Sequence, residues 1–74
     1  MGIEFLGVGR AAHGETAAHK VVASSFDEAA RLVAKEILEE QHPDWNDDIY
    51  VDIVTNAKFE LKGDYAFEIK DLVD

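Results

Sequence analysis

Cysteine is absent from this 74-residue chain. That excludes a disulfide framework, a thiolate metal site and a cysteine nucleophile. In so small a domain it also favours a reducing compartment, the cytoplasm, over secretion. No apolar run approaches the ~18 residues of a membrane span. Met1-Gly2-Ile3-Glu4 has neither the basic start nor the apolar stretch of a signal peptide. Gly2 opens a myristoylation pattern that wants Ser or Thr where Leu6 stands. Basic residues are scarce, seven Lys and Arg against sixteen Asp and Glu, for a net charge of −9. Direct nucleic-acid binding needs cations to neutralise phosphates, so it is not expected. There is no internal repeat and no low-complexity tract. The length leaves room for one domain, residues 1–74, which at this size buries roughly 60% of its unfolded surface. Apolar residues make up 47% of the chain, which argues against disorder despite the charge.

The charge is unevenly placed. Residues 1–35 hold four acids and four bases, whereas residues 36–74 hold twelve acids and three bases. The entire net charge therefore lies in the second half. Such a field opposes compaction through self-repulsion. A reason outside folding is expected for it, namely a surface that meets something positive.

The pattern of elements predicts an α+β domain. Ser25 is a good N-cap, and Glu28 three residues on completes a capping box by reaching back to the cap's own N–H. Phe26, Ala30, Val33 and Ile37 recur at helical spacing, flanked by Ala29, Ala34 and Gln41, and Pro43 ends the helix. Asp27 with Arg31, and Lys35 with Glu39, stand four apart on the wet side. Ile3–Val8 and Thr16–Ala23 read as strands joined by a hairpin loop, Gly9 to Glu15. After a loop over His42–Asp48, Ile49–Thr55, Lys58–Lys62 and Tyr65–Lys70 alternate as three more strands, with turns at Asn56-Ala57 and Gly63-Asp64. The expected order is β-β-α-β-β-β: a single helix packed on an antiparallel sheet of about five strands. Ile3, Phe5, Val21, Ile49, Val51, Ile53, Phe59, Leu61, Tyr65, Phe67 and Ile69 are the expected core residues of the sheet. Glu4, Leu6, Val8, Tyr50, Asp52, Val54, Glu60 and Glu68 are expected on its other face. That mixture of apolar and acidic residues is unlike a fully solvated face, and it admits a homodimer.

Several motifs bear on chemistry. Gly7-Val8-Gly9-Arg10-Ala11-Ala12 matches the G-x-G-x-x-A dinucleotide fingerprint, but that mechanism needs a helix to open at once, and Gly14-Glu15 interrupts one. The bland reading is glycines shaping a hairpin loop. Asp44-Trp45-Asn46-Asp47-Asp48 begins like a calcium loop, yet Ile49 stands where Gly is needed and Thr55 where a bidentate Glu is needed. Asp44 and Asn46 are better read as turn formers, with Trp45 packed on the helix end or used in binding. His13, Glu15 and His19 are the only hint of a zinc-dependent enzyme, and nothing visible would fix their rings. Ser24 and Ser25 read as caps rather than nucleophiles. No catalytic constellation emerges, and no cofactor or metal is expected.

The acidic surface is the remaining candidate. Glu36, Glu39 and Glu40 fall within about one turn at the helix end, and Asp44, Asp47 and Asp48 follow directly. Asp52, Glu60, Asp64, Glu68, Asp71 and Asp74 complete the set. Acids at a helix C-terminus are electrostatically unfavourable, which asks for a functional reason; added solubility is the competing explanation. The strand entering a Ser-capped, Ala-rich helix, Lys20-Val21-Val22-Ala23-Ser24-Ser25-Phe26-Asp27-Glu28-Ala29-Ala30, followed by a strand meander, is similar to small phage-encoded anti-CRISPR proteins that inhibit type I systems. The resemblance covers most of the chain as layout, size and charge, and carries over no individual residue. It implies a non-enzymatic inhibitor, acting in the host cytoplasm, that binds an RNA-guided surveillance complex, often where target DNA would sit. The leading expectation is thus an acidic DNA mimic that blocks a basic nucleic-acid-binding surface. Its contacts would be Glu36, Glu39, Glu40, Asp44, Asp47, Asp48 and Asp52. The alternatives are an antitoxin-like or homo-oligomeric assembly protein using Leu6, Val8, Tyr50 and Val54, and a small metal-dependent enzyme using His13, Glu15 and His19.

Overall fold

A computed structural model describes residues 2–73, so Asp74 lies outside the described residues. The order is β1 (Ile3–Ala11), β2 (Ala17–Ala23), α1 (Phe26–Gln41), β3 (Asp48–Asn56), β4 (Leu61–Glu68) and a short α2 (Ile69–Leu72). Among the described residues the sheet has four strands rather than five, ordered β2-β1-β3-β4, with every neighbouring pair antiparallel. Helix α1 leaves the edge strand β2, crosses one face of the sheet and delivers the chain to the central strand β3.

The helix begins and ends where its capping residues dictate. Ser25 is extended (φ −155°), and its hydroxyl accepts from the Glu28 N–H at 3.1 Å. Glu28 reaches back one residue further than expected, accepting from the Ser24 N–H at 2.7 Å rather than from that of Ser25. At the other end His42 turns left-handed (φ 48°) and donates its N–H to the Leu38 carbonyl at 3.1 Å. A non-glycine residue in that conformation costs about 1 kcal/mol.

The buried helix face is small: Ala29, Ala30, Val33, Ala34 and Ile37 are fully covered. Opposite it, β1 presents Gly7 and Gly9, both buried within the strand. A Cβ on Gly7 would stand 2.5 Å from Val33 Cγ2, and one on Gly9 would stand 2.9 Å from Val51 Cα and overlap the Tyr50 carbonyl oxygen. Glycine in a strand marks such a close approach. The G-x-G pattern is therefore neither a dinucleotide loop nor a hairpin loop. It lies mid-strand, and β1 continues through Arg10 and Ala11. The actual loop is shorter and is tied to the helix end: Gln41 donates to the Glu15 carbonyl at 2.6 Å and accepts from the Ala11 N–H at 3.3 Å.

The expected core needs correction at one side of the sheet. The register between β1 and β3 shifts between Val8 and Gly9, leaving Asp52 as an extra residue in β3. Such a bulge reverses the alternation beyond it. Val51 and Val54 are consequently both buried, while Ile53 is turned outward. The β3–β4 turn also consumes more chain than expected. The Asn56 side-chain oxygen accepts from the Lys58 and Glu60 N–H groups at 3.0 and 3.1 Å. Lys58–Glu60 thus form the turn, and Phe59 is 90% exposed there. Gly63-Asp64 makes no second turn; it lies inside β4, where Asp64 alone is left-handed (φ 63°) and pairing with β3 continues on both sides. Ile3 and Leu61 are exposed as well. Ile69 does reach the core, but from α2, together with Leu72. Phe5 packs edge-on against Phe26 at 5.1 Å, closing the helix over β1.

Candidate functional site

The second half of α1 presents Glu36, Glu39 and Glu40 to solvent, with no basic residue in its last turn. Lys35 does not close the expected pair with Glu39. Beyond His42 the chain folds back on itself, with the Asp47 N–H bonded to the Asp44 carbonyl at 2.9 Å. Trp45 and Asn46 form the tip of this turn, and Trp45 is 62% exposed instead of packing on the helix end. Among the described residues, the only ion-pair partners near these acids are histidines. His19 Nε2 lies 3.5 Å from Glu40, and His13 Nε2 lies 3.8 Å from Asp47. His19 Nε2 is buried and makes no hydrogen bond, so its approach to Glu40 has the distance of an ion pair without the alignment of a hydrogen bond.

Three shallow depressions adjoin one another around this end of the molecule. The first, about 360 Å³, is lined by Glu15 and Glu40 among others. It shares Gly14 and Gln41 with the second, about 210 Å³, which takes in Asp44 and Asp47. The second shares Asp47 with the third, also about 210 Å³, between Trp45 and the end of β4. There Asp48 and Glu68 face the cleft alongside Lys70. The acids thus form a continuous belt drawn from four separate stretches of chain. Among the described residues Lys70 is the lone Lys or Arg lining it, and it is held by Glu68 at 3.3 Å.

Of the seven expected contact residues, Glu40, Asp44, Asp47 and Asp48 line these depressions, Glu36 and Glu39 stand on the exposed helix face beside them, and one lies elsewhere. Asp52 sits on the outer face of the sheet, where Arg10 holds it at 2.9 Å and also lies 5.4 Å above the Tyr50 ring. The bulge at Asp52 places it beside a cation 42 residues away, which local pattern cannot show. Conversely, Glu15 and Glu68 join the belt only through the fold. Of the two sequence readings of Trp45, packing on the helix end is excluded by its exposure, and a role in binding is left.

The other end of α1 handles its acid differently. Asp27, in the first turn, accepts from the Tyr65 hydroxyl at 2.9 Å and faces Lys62 Nζ at 3.5 Å. The Tyr65 hydrogen bond first, then Lys62, hold the Asp27 carboxyl below the usual carboxylate range. Burial first, then Asp27, push the Tyr65 phenol up to about 12.

His13, Glu15 and His19 do not converge, since the two rings face different acids. Among the described residues no three His, Asp or Glu side chains are arranged to hold a metal. No described helix is long and apolar enough to cross a membrane. No protein-family model, curated protein or solved structure matches this chain.

Proposed function

We propose that this chain is a non-catalytic binding protein that docks its acidic end onto a basic surface built to hold nucleic acid. It thereby acts as a blocking inhibitor of the kind the anti-CRISPR resemblance implies. The observation that carries this reading is the continuous acidic belt running from Glu15 and Glu40 to Asp48 and Glu68. A folding role does not account for it. Glu36, Glu39 and Glu40 oppose the helix dipole with no cation in the last turn to offset them. The exposed Trp45 within the belt supports a protein partner, because tryptophan is enriched among residues that dominate protein interfaces. Carboxylates on rigid elements would meet the Lys and Arg that otherwise neutralise phosphates. The partner is thus expected to be a nucleic-acid-binding complex, with an RNA-guided surveillance complex as the specific case.

The test is capture from bacterial lysate on tagged protein, followed by elution with rising salt and with duplex DNA. Recovery of a nucleic-acid-binding complex that both treatments release supports the reading. The Debye length falls to ~3 Å at 1 M salt, so a contact driven by exposed charges is largely screened there. A complex retained in high salt and indifferent to DNA contradicts it.

A further inference from the structure

The inner face of the sheet is closed by α1, and the outer face is left bare. Leu6 is 41% exposed there, Val22 60%, Ile53 36% and Leu61 64%. We propose that this face packs against the same face of a second copy, about a two-fold axis running along the strands between β1 and β3. Charge singles out a second copy as the occupant. A chain of net charge −9 repels its own kind over most of its surface. The middle of this face is the exception, because Arg10 neutralises Asp52 and Lys20 lies diagonally across from Glu4.

The register makes the face self-complementary. Leu6 sits beside Thr55, Val8 beside Ile53, and Arg10 beside Tyr50. An axis between the two central strands lays each β1 residue over its neighbour's counterpart in the second copy. Val8 then meets the other Ile53, Leu6 meets the other Thr55, and Arg10 meets the other Tyr50 and Asp52. Arg10 and Asp52 also stand level with their own copies across the axis, so the two Arg10–Asp52 pairs come together as a neutral set of four. The set of expected assembly residues changes accordingly: Leu6, Val8 and Tyr50 remain, but Val54 is wholly buried in the core and Ile53 takes its place.

Area sets a further condition. Four strands at ~4.8 Å spacing and about eight residues at ~3.4 Å rise give a face of about 19 by 27 Å, roughly 500 Å² in projection. A stable dimer buries about 800 Å² of accessible surface per partner. Side-chain relief makes accessible area larger than projected area, so the requirement is met only when the whole face is covered, Val22 and Leu61 included. Edge-to-edge pairing is disfavoured. The β4 edge carries Lys62 turned toward Asp27 and the left-handed Asp64, both features that spoil a flat edge.

Sedimentation of the full chain tests this directly. The expected mass is twice the 8.2 kDa of one chain, and it persists at high salt, which screens the repulsion between copies. Ile53→Glu is expected to halve the mass while thermal unfolding remains cooperative, since the side chain it replaces points outward. In a mixture of Val8→Cys chains with Ile53→Cys chains, oxidation is expected to join unlike chains in preference to like ones. A wild-type chain that stays monomeric up to millimolar concentration overturns the proposal. So does an Ile53→Glu variant that keeps the doubled mass, or a mixture that cross-links only like chains.

Discussion

The two ends of α1 use the same residue type to opposite effect. At the N-terminus, Asp27 and Glu28 face the positive end of the helix dipole, and each has a structural partner. Glu28 closes the cap through Ser24, and Asp27 ties the helix to β4 through Tyr65 and Lys62. At the C-terminus, Glu36, Glu39 and Glu40 face the negative end, and among the described residues only Glu40 has an ion-pair partner, His19. The first set explains itself through folding. The second makes folding harder, which the proposed binding role would account for. Charge count alone would have treated the two sets alike; what separates them is where each lies along the dipole.

The largest expected effect bears on both ends together. Ile37 is fully buried on the inner face of α1, packed over Gly9 of β1. Ile37→Ala is expected to cost 2–5 kcal/mol in denaturant unfolding, of order what a buried aliphatic truncation costs. Loss of both ends at once would make it the control for variants at either end alone. Next, Ser25→Ala is expected to cost about 1 kcal/mol by removing the cap at the N-terminal end. An unchanged unfolding midpoint would mean that Glu28 and Ser24 alone hold that end.

The pH dependence sharpens the comparison further. The Asp27 pKa is lowered in the folded state, so its contribution is present above the ordinary carboxylate range and is lost as pH falls through it. Tyr65 is raised to about 12, so the folded state holds that proton more tightly than the unfolded one. Its contribution is complete below the ordinary phenol value and is lost as pH rises from there toward 12. Tyr65→Phe is expected to remove the alkaline decline and to weaken the acid one, as read by thermal unfolding across pH. A variant with the same profile as wild type would remove the Asp27–Tyr65 contact from the account. The smallest effect is at the other end: Glu39→Gln is expected to stabilise the fold by about 0.3–1 kcal/mol, by relieving the dipole.

Much of this architecture was legible in the sequence, for identifiable reasons. Ser25, Glu28 and Pro43 mark the helix because capping and termination depend on neighbours close along the chain. The acids of the helix end were legible too, since exposure follows charge. The sheet was harder. The bulge at Asp52 leaves no trace in the alternation of Ile49–Thr55, yet it exchanges Ile53 and Val54 between core and surface. Gly63-Asp64 has turn composition, but pairing with β3 on both sides keeps it in the strand. Gly7 and Gly9 have loop composition, and only the helix above them explains their place in β1. The belt itself depends on Glu15, Asp47 and Glu68 meeting from separate parts of the chain, which no local pattern encodes.

One measurement addresses the central claim with two readouts of opposite sign. In the variant carrying Glu36→Gln, Glu39→Gln and Glu40→Gln, helix propensity is nearly unchanged and three charges are removed from the unfavourable end. Its denaturant stability and its salt-sensitive capture of a nucleic-acid-binding complex are measured beside those of the wild type. A gain of roughly 1 kcal/mol in stability together with loss of capture is the predicted result, showing acids retained for binding at a cost to the fold. A variant that loses stability, or that captures the complex as well as the wild type does, would contradict it.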